Sequence, residues 1–202
     1  MENKGFVIGL TGPTGAGKST VAKELESLGC RIVDCDRIAR QITDTCAPCR
    51  EALQEEFGAD IFREGVLDRK LLAQRAFATP EKTQRLNGIT HPWILRETQA
   101  QVEAGLAAGA RAVVIDAPLL FEAGADRFCQ KILAVTVPYE KRLRRIMARD
   151  NITEEQARAR MDAQHPESWY EARADWVVSG SMDDAALREI LEKHLAEGGE
   201  EE

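Results

Sequence analysis

Phe6-Val7-Ile8-Gly9-Leu10-Thr11-Gly12-Pro13-Thr14-Gly15-Ala16-Gly17-Lys18-Ser19-Thr20 runs from an apolar segment into a glycine-rich turn of the form G-x-x-x-x-G-K-[ST]. The segment 6–10 is too short for a helix and apolar throughout, as expected of a strand buried on both faces. Beyond Gly17 the apolar positions Val21, Leu25 and Leu28 keep i, i+4, i+7 spacing, and Gly29 supplies a stop. Strand, glycine-rich turn and amphipathic helix in that order give the turn the context it needs. Such a unit belongs to an α/β fold with a parallel sheet.

The residue types in the turn match phosphate binding. Glycine permits the backbone angles that wrap amide N–H groups around oxygens, and the following helix adds its positive pole. Gly12, Gly15, Ala16, Gly17, Lys18, Ser19 and Thr20 are the candidate nucleotide contacts. Lys18 is expected on the β- and γ-phosphates, the Ser19 hydroxyl on Mg²⁺, and Thr20 beside them. Pro13 has no N–H, but it stands at the loop entrance, where few phosphate contacts are needed.

Outward from this unit, short apolar runs alternate with amphipathic stretches, the pattern of a parallel sheet covered by helices. Strands are expected at 6–10, 32–34, 112–116, 132–137 and 176–178. Almost eighty residues without a clear buried strand separate the second from the third, so a helical insertion is expected there. Pro80 at the first position after Thr79 marks one helix start, and His91-Pro92 a second, whose helix ends near Gly109. Thr153 and Gln156 form a capping-box pair, and Ser181 is the expected cap of a last helix with Leu187, Ile190 and Leu191 inward. The organisation read this way is one domain: core at 1–36, 111–140 and 172–196, helical region at 37–110, a further segment at 141–171, and an acidic tail at 197–202.

Composition excludes several classes. With 202 residues, 44% hydrophobic and 30% charged, the chain suits one soluble domain. Its apolar runs are far shorter than the ~18 residues of a membrane span, and Met1-Glu2-Asn3-Lys4 lacks the shape of a signal peptide, so a cytoplasmic location is expected. The net charge is −7, of which Glu197, Glu200, Glu201 and Glu202 carry four, so the body shows no basic surplus for nucleic acid. Five cysteines in an unexported chain are read as reduced thiols. Cys46-Ala47-Pro48-Cys49 has no second pair, and neither His91 nor His165 stands at zinc-finger spacing, so these read as loop thiols without a metal.

A guanine-reading N-K-x-D is missing, since Asn3-Lys4 precedes the first strand and continues into Gly5-Phe6. Asp116-Ala117-Pro118-Leu119 is not a D-x-x-G switch either. A small kinase or a non-catalytic nucleotide switch remains. Asp34 and Asp36 end the second strand, where period-two geometry points both to the ligand-binding edge of the sheet. One is a candidate proton acceptor and the other a partner for metal-bound water. Asp116 is placed like the carboxylate that holds the Mg²⁺ hydration shell. Glu122 is a weaker candidate, and Trp93, Trp169 and Trp176 read as packing.

Beyond the loop, several blocks are particular: Val33-Asp34-Cys35-Asp36-Arg37-Ile38-Ala39-Arg40, Phe57-Gly58, Gly65-Val66-Leu67-Asp68-Arg69, His91-Pro92, Pro118-Leu119-Leu120-Phe121-Glu122 and Arg145-Ile146-Met147-Ala148-Arg149-Asp150. In order and spacing, from Val7 to about Asp175, the chain resembles the dephospho-CoA kinase family. The resemblance implies a P-loop kinase core of five parallel strands flanked by helices, with a helical substrate-binding insertion and a mobile, Arg-rich lid at 141–171. It implies transfer of the γ-phosphoryl of ATP, with Mg²⁺, to the ribose 3′-hydroxyl of dephospho-CoA, and no obligatory protein partner. Asp36 matches the family's general base, and Arg40, His91, Pro118, Leu119 and Leu120 fall where the family shapes the acceptor pocket.

The chain departs from the family in places. Pro13-Thr14-Gly15-Ala16 replaces the usual Gly-Ile-Gly-Ser, Arg142 stands where the lid commonly has glutamine, and Ser179-Gly180-Ser181-Met182 replaces Asp-Asn-x-Gly. Tyr170 takes the place of a usual basic residue, and Cys46 and Cys49 fall where the family reserves no cysteine. If 141–150 is helical, Arg142, Arg145 and Arg149 at i, i+3, i+7 share a flank apart from Leu143, Ile146 and Met147. Such a face would set guanidinium groups over ATP phosphates, with Arg145 and Arg149 as catalytic residues and Arg142 as a nucleotide contact.

Overall fold

The structure, a computed structural model, describes residues 5–199; the Asn3-Lys4 pair and Glu200, Glu201 and Glu202 of the acidic end lie outside the described residues. In chain order the first elements are β1 (Phe6–Thr11), α1 (Lys18–Ser27), β2 (Arg31–Asp34), α2 (Cys35–Thr45), α3 (Ala47–Phe57), β3 (Phe62–Arg63), β4 (Val66–Leu67), α4 (Arg69–Ala76) and α5 (Pro80–Ala107). Then come β5 (Ala112–Asp116), β6 (Lys131–Thr136), α6 (Tyr139–Asp150), α7 (Glu154–Asp162), α8 (Glu167–Glu171), β7 (Trp176–Ser179) and α9 (Asp184–Gly198). They form two compact units, one of residues 34–100 and one from the segments on either side of it.

The larger unit is built on a five-stranded sheet in the order β2-β5-β1-β6-β7. β1 lies at its centre, parallel to β5 (Phe6 opposite Ala112, Leu10 opposite Asp116) and to β6 (Ile8 opposite Lys131, Thr11 opposite Ala134). All six residues of β1 are buried, which accounts for its unbroken apolar run. Val21 and Leu25 of α1 and Leu187, Leu191 and Leu195 of α9 pack with Ile8, Leu10, Leu133 and Val135 in one core. All five expected strands are present, each end within one residue of expectation. The segment after β6 forms a satellite core in which Leu143 and Ile146 of α6 meet Ala157 and Met161 of α7, and the Thr153–Gln156 capping box is present.

The smaller unit packs Cys49, Leu53, Phe57, Ile61, Leu67, Leu72 and Ala76, with Trp93 against them. Cys46 and Cys49 do not lie in a loop as expected: Cys46 is the N-cap residue of α3 and Cys49 is a core residue within it. Burial pushes the Cys49 thiol up to about 11, so it stays protonated and inert at neutral pH. The small β3–β4 hairpin was not visible in the pattern, because two-residue strands carry no periodicity.

Four further expectations are corrected. β2 ends at Asp34, whose side chain accepts the Arg37 amide and so caps α2; Asp36 therefore sits in the first turn of a helix, and the period-two pairing of the two carboxylates does not exist. His91-Pro92 starts no helix, since Pro92 lies inside α5, which runs unbroken from Pro80. The proline ring there faces the carbonyl of Gly88, four residues back, where no side chain adds to the crowding. Asp183, not Ser181, caps α9, accepting the Ala186 amide, and that helix carries Glu197 instead of releasing it as a tail.

Burial holds His91 below its ordinary value near 6.5. A histidine kept neutral in the fold contributes stability above its unfolded pKa and loses it as pH falls through the folded one. The urea midpoint is therefore expected to drop as the pH falls below about 6.5, and His91→Gln to flatten that drop. An unchanged slope in the variant would assign the pH dependence to other groups.

Candidate active site

Helices α2, α4, α7 and α9 are capped by their own side chains, Asp34, Asp68, Thr153 and Asp183 each accepting an amide of the first turn, whereas α1, like α3, α6 and α8, has no side-chain cap. Helix α1 is the one preceded by the glycine-rich loop. Its N-cap is Gly17, no side chain caps it, and its first turn holds no acidic residue. The positive pole of α1 thus points into the glycine-rich loop, an environment that favours an anion. Lys18 begins this helix, with its Nζ donating to the Gly12 carbonyl at 3.0 Å, and Ser19 and Thr20 follow on its exposed side. Gly12 has φ +139°, and a Cβ there would run into the Val135 carbonyl, so the turn into the cradle requires glycine.

The cradle is braced from behind by α6. Arg142 is 4% exposed and donates from Nε to the Thr14 carbonyl at 3.0 Å. Arg145 donates from Nη1 to the carbonyls of Gly15 (3.3 Å) and Ala16 (3.2 Å) and from Nη2 to that of Gly180 (2.9 Å). A trans peptide points its N–H opposite its C=O. Holding the Ala16 carbonyl against Arg145 therefore turns the Gly17 N–H away from α6. Both guanidinium groups also place positive charge behind the loop. Burial holds Arg142 below the ordinary arginine range, opposed by Glu167, Tyr170 and Tyr139.

The expected face of three arginines is not what α6 presents. Arg142 follows the buried flank of Leu143 and Ile146 onto the loop backbone, Arg145 grips loop carbonyls, and Arg149 is exposed and paired with Asp150 at 2.7 Å. Asp150 also pairs with Arg160. Asp116, at the end of β5, stands opposite Leu10, two residues before Gly12, so β1 and β5 deliver it beside the cradle. Pro118 is half-buried and Leu119 exposed, but Leu120 is fully buried and its side chain abuts Gly9; it anchors the loop after β5 and cannot line a pocket. In the smaller unit Asp36 and Arg40 are exposed on α2, and His91 is half-buried on α5. Trp169 and Trp176 are packing residues, the first stacked on His165 and the second on His194.

Two residues the sequence reading passed over belong to this site. Gln164 accepts the Thr14 amide at 2.8 Å across 150 positions, a contact no local pattern signals. Gly180 lies so close to the loop that a Cβ would run into the Ala16 carbonyl. Gly180→Ala must push the β7–α9 turn off the cradle, and a displacement near 1 Å costs about 10²-fold in rate. Turnover is expected to fall by about that factor, with a weaker KM for ATP; wild-type kinetics in the variant would show that the turn gives way freely.

A strand, an uncapped phosphate-type loop, a lysine at the helix start and arginines behind it on a parallel sheet define a P-loop kinase fold. Residues 6–185 match the family model described as dephospho-CoA kinase, and the chain belongs to that family. A dephospho-CoA kinase of Syntrophotalea carbinolica is 42% identical over 181 residues, covering 88% of this chain and 86% of that one. The solved structure of a Thermus thermophilus protein superposes with a TM-score of 0.82 at 35% identity, covering 96% of this chain and 97% of that one. Dephospho-CoA kinase from Campylobacter jejuni gives 0.70 at 29% identity, covering 98% and 97%.

Proposed function

We propose that the protein transfers the γ-phosphoryl group of ATP to the ribose 3′-hydroxyl of dephospho-CoA, the last step of coenzyme A synthesis. The observation that carries this reading is the uncapped N-terminus of α1, with Lys18 beside it and Arg145 fixing the loop carbonyls away from it. These groups bind the phosphates and meet the negative charge that spreads over the transferred group, which phosphoryl transfer needs more than covalent chemistry. The bond from the acceptor oxygen to the γ-phosphorus forms, the bond to ADP breaks, and the hydroxyl proton passes to Asp36. Arg149 adds positive charge from the last turn of α6, within a lid made of 141–171. Arg40, His91, Pro118 and Leu119 are assigned to the acceptor.

The donors present fit a magnesium ion: a hydroxyl at Ser19 on the exposed side of the first turn of α1, and the Asp116 carboxylate at the neighbouring strand end. Ser19 would hold the ion directly and Asp116 through water, and the ion would neutralise charge between the β- and γ-phosphates. Among the described residues no helix is long and apolar enough to cross a membrane, and no group of three or more His, Cys, Asp or Glu side chains is placed to hold a metal by itself. The free thiols, with Cys30 and Cys49 buried, fit action in the reducing cytoplasm. We assign no nucleic-acid and no obligatory protein partner.

The test is ADP release in a coupled assay. Release that depends on dephospho-CoA is expected. Dependence on nucleosides would transfer the protein to another class of acceptor, and ATP binding with no acceptor dependence would make it a switch.

A further inference from the structure

Thr14 is held at both ends of its backbone by side chains from the segment after β6: its N–H by Gln164 Oε1 at 2.8 Å, its C=O by Arg142 Nε at 3.0 Å. Since Pro13 has no N–H, Thr14 carries the first amide inside the loop, and Gln164 takes it. The backbone of Gln164 is fixed where α7 ends, its N–H donating to the Met161 carbonyl, and Met161 is itself part of the α6–α7 core. The next residue faces the other way. His165 stacks on Trp169 with ring centres 3.8 Å apart and planes nearly parallel, and its Nε2 lies 3.5 Å from Glu122 Oε1; Phe121 and Trp169 meet edge to face at 5.2 Å. Phe121 and Glu122 belong to the loop after β5, next to Pro118 and Leu119.

We infer that Gln164 and His165 are positioning residues that tie the loop after β5 to the phosphate loop. His165 is docked on the one loop and Gln164 sets the Thr14 peptide of the other, so the two are held in one register. Neither touches a reacting atom. With Gln164 gone, a half-buried amide loses its acceptor and the loop entrance is left to drift, which weakens nucleotide binding while leaving Lys18 and the acceptor machinery in place. This inference rests on the reading of residues 12–19 as the ATP phosphate site.

The experiment is calorimetric titration of the full chain with ATP, alongside steady-state kinetics. Gln164→Ala is expected to weaken ATP binding about tenfold, raising KM for ATP while kcat at saturating ATP holds within about twofold. His165→Ala, at an exposed position docked on Trp169 and Glu122, is expected to weaken binding about threefold. The double variant is expected to be no weaker than Gln164→Ala alone, because both act through one link. Unchanged affinity in Gln164→Ala, or effects that multiply in the double variant, would overturn the link while leaving the proposed function intact. A wild-type chain that binds no ATP would overturn both.

Discussion

Lys18→Ala is expected to lower kcat by about 10³-fold or more, the upper end for removing one preorganised electrostatic donor from a transition state. The ammonium group lies at the first residue of a helix whose N-terminus has no cap of its own, and its Nζ already reaches the loop carbonyl of Gly12. On the proposed reading, deleting it removes a positive charge from the place where the transferred group becomes most negative. The fold should tolerate the change. Lys18 is only half-buried, and Val21, Ala22 and Leu25 hold α1 on the sheet. The check is kcat together with a thermal melt: activity lost with the melting temperature nearly constant. Comparable losses of both would make Lys18 a structural residue.

Asp36→Asn is expected to lower kcat by about 10²–10⁴-fold, the range for a general acid or base, with ATP affinity nearly unchanged. Asp34, not Asp36, supplies the side-chain cap of α2, so the amide should leave that cap intact and lose about 0.3–1 kcal/mol of favourable dipole interaction. The variant keeps the shape of the side chain and loses its ability to take a proton. Single-turnover kinetics with saturating ATP and acceptor would separate the phosphoryl step from binding. An Asn variant as fast as the wild type would remove Asp36 from the chemistry and leave positioning and electrostatics to supply the whole acceleration.

The parts of the fold legible in the sequence are those set by short-range physics. β1 and β5 are buried on both faces, so apolar runs announced them, and the glycines of the loop announced the turn between β1 and α1. The misreadings arose where two local rules competed. At Asp34 a strand alternation and a helix cap both fit the residues, and the cap prevailed because it satisfies an otherwise orphaned amide. At His91-Pro92 a proline suited to a helix start lies within a longer helix, with Gly88 one turn before it. At Ser181 and Asp183 two good capping residues stand close together, and the carboxylate took the position.

The site itself divides along the same line. The cradle residues could be nominated from the sequence because each has a chemical reason at fixed spacing. The roles of Arg142 and Arg145 were not, because helical periodicity places them on α6 but says nothing of what lies opposite. The structure puts them against carbonyls about 130 positions away. Gln164 and Gly180 were invisible for the same reason: each acts on the loop through a tertiary contact.

The most direct measurement follows the phosphorus atom itself. Incubated with ATP labelled in the γ-position and with dephospho-CoA, the protein is expected to place the label on the acceptor as a ribose 3′-phosphate, in step with ADP formation. Label that appears only as inorganic phosphate, at a rate indifferent to the acceptor, would contradict the account.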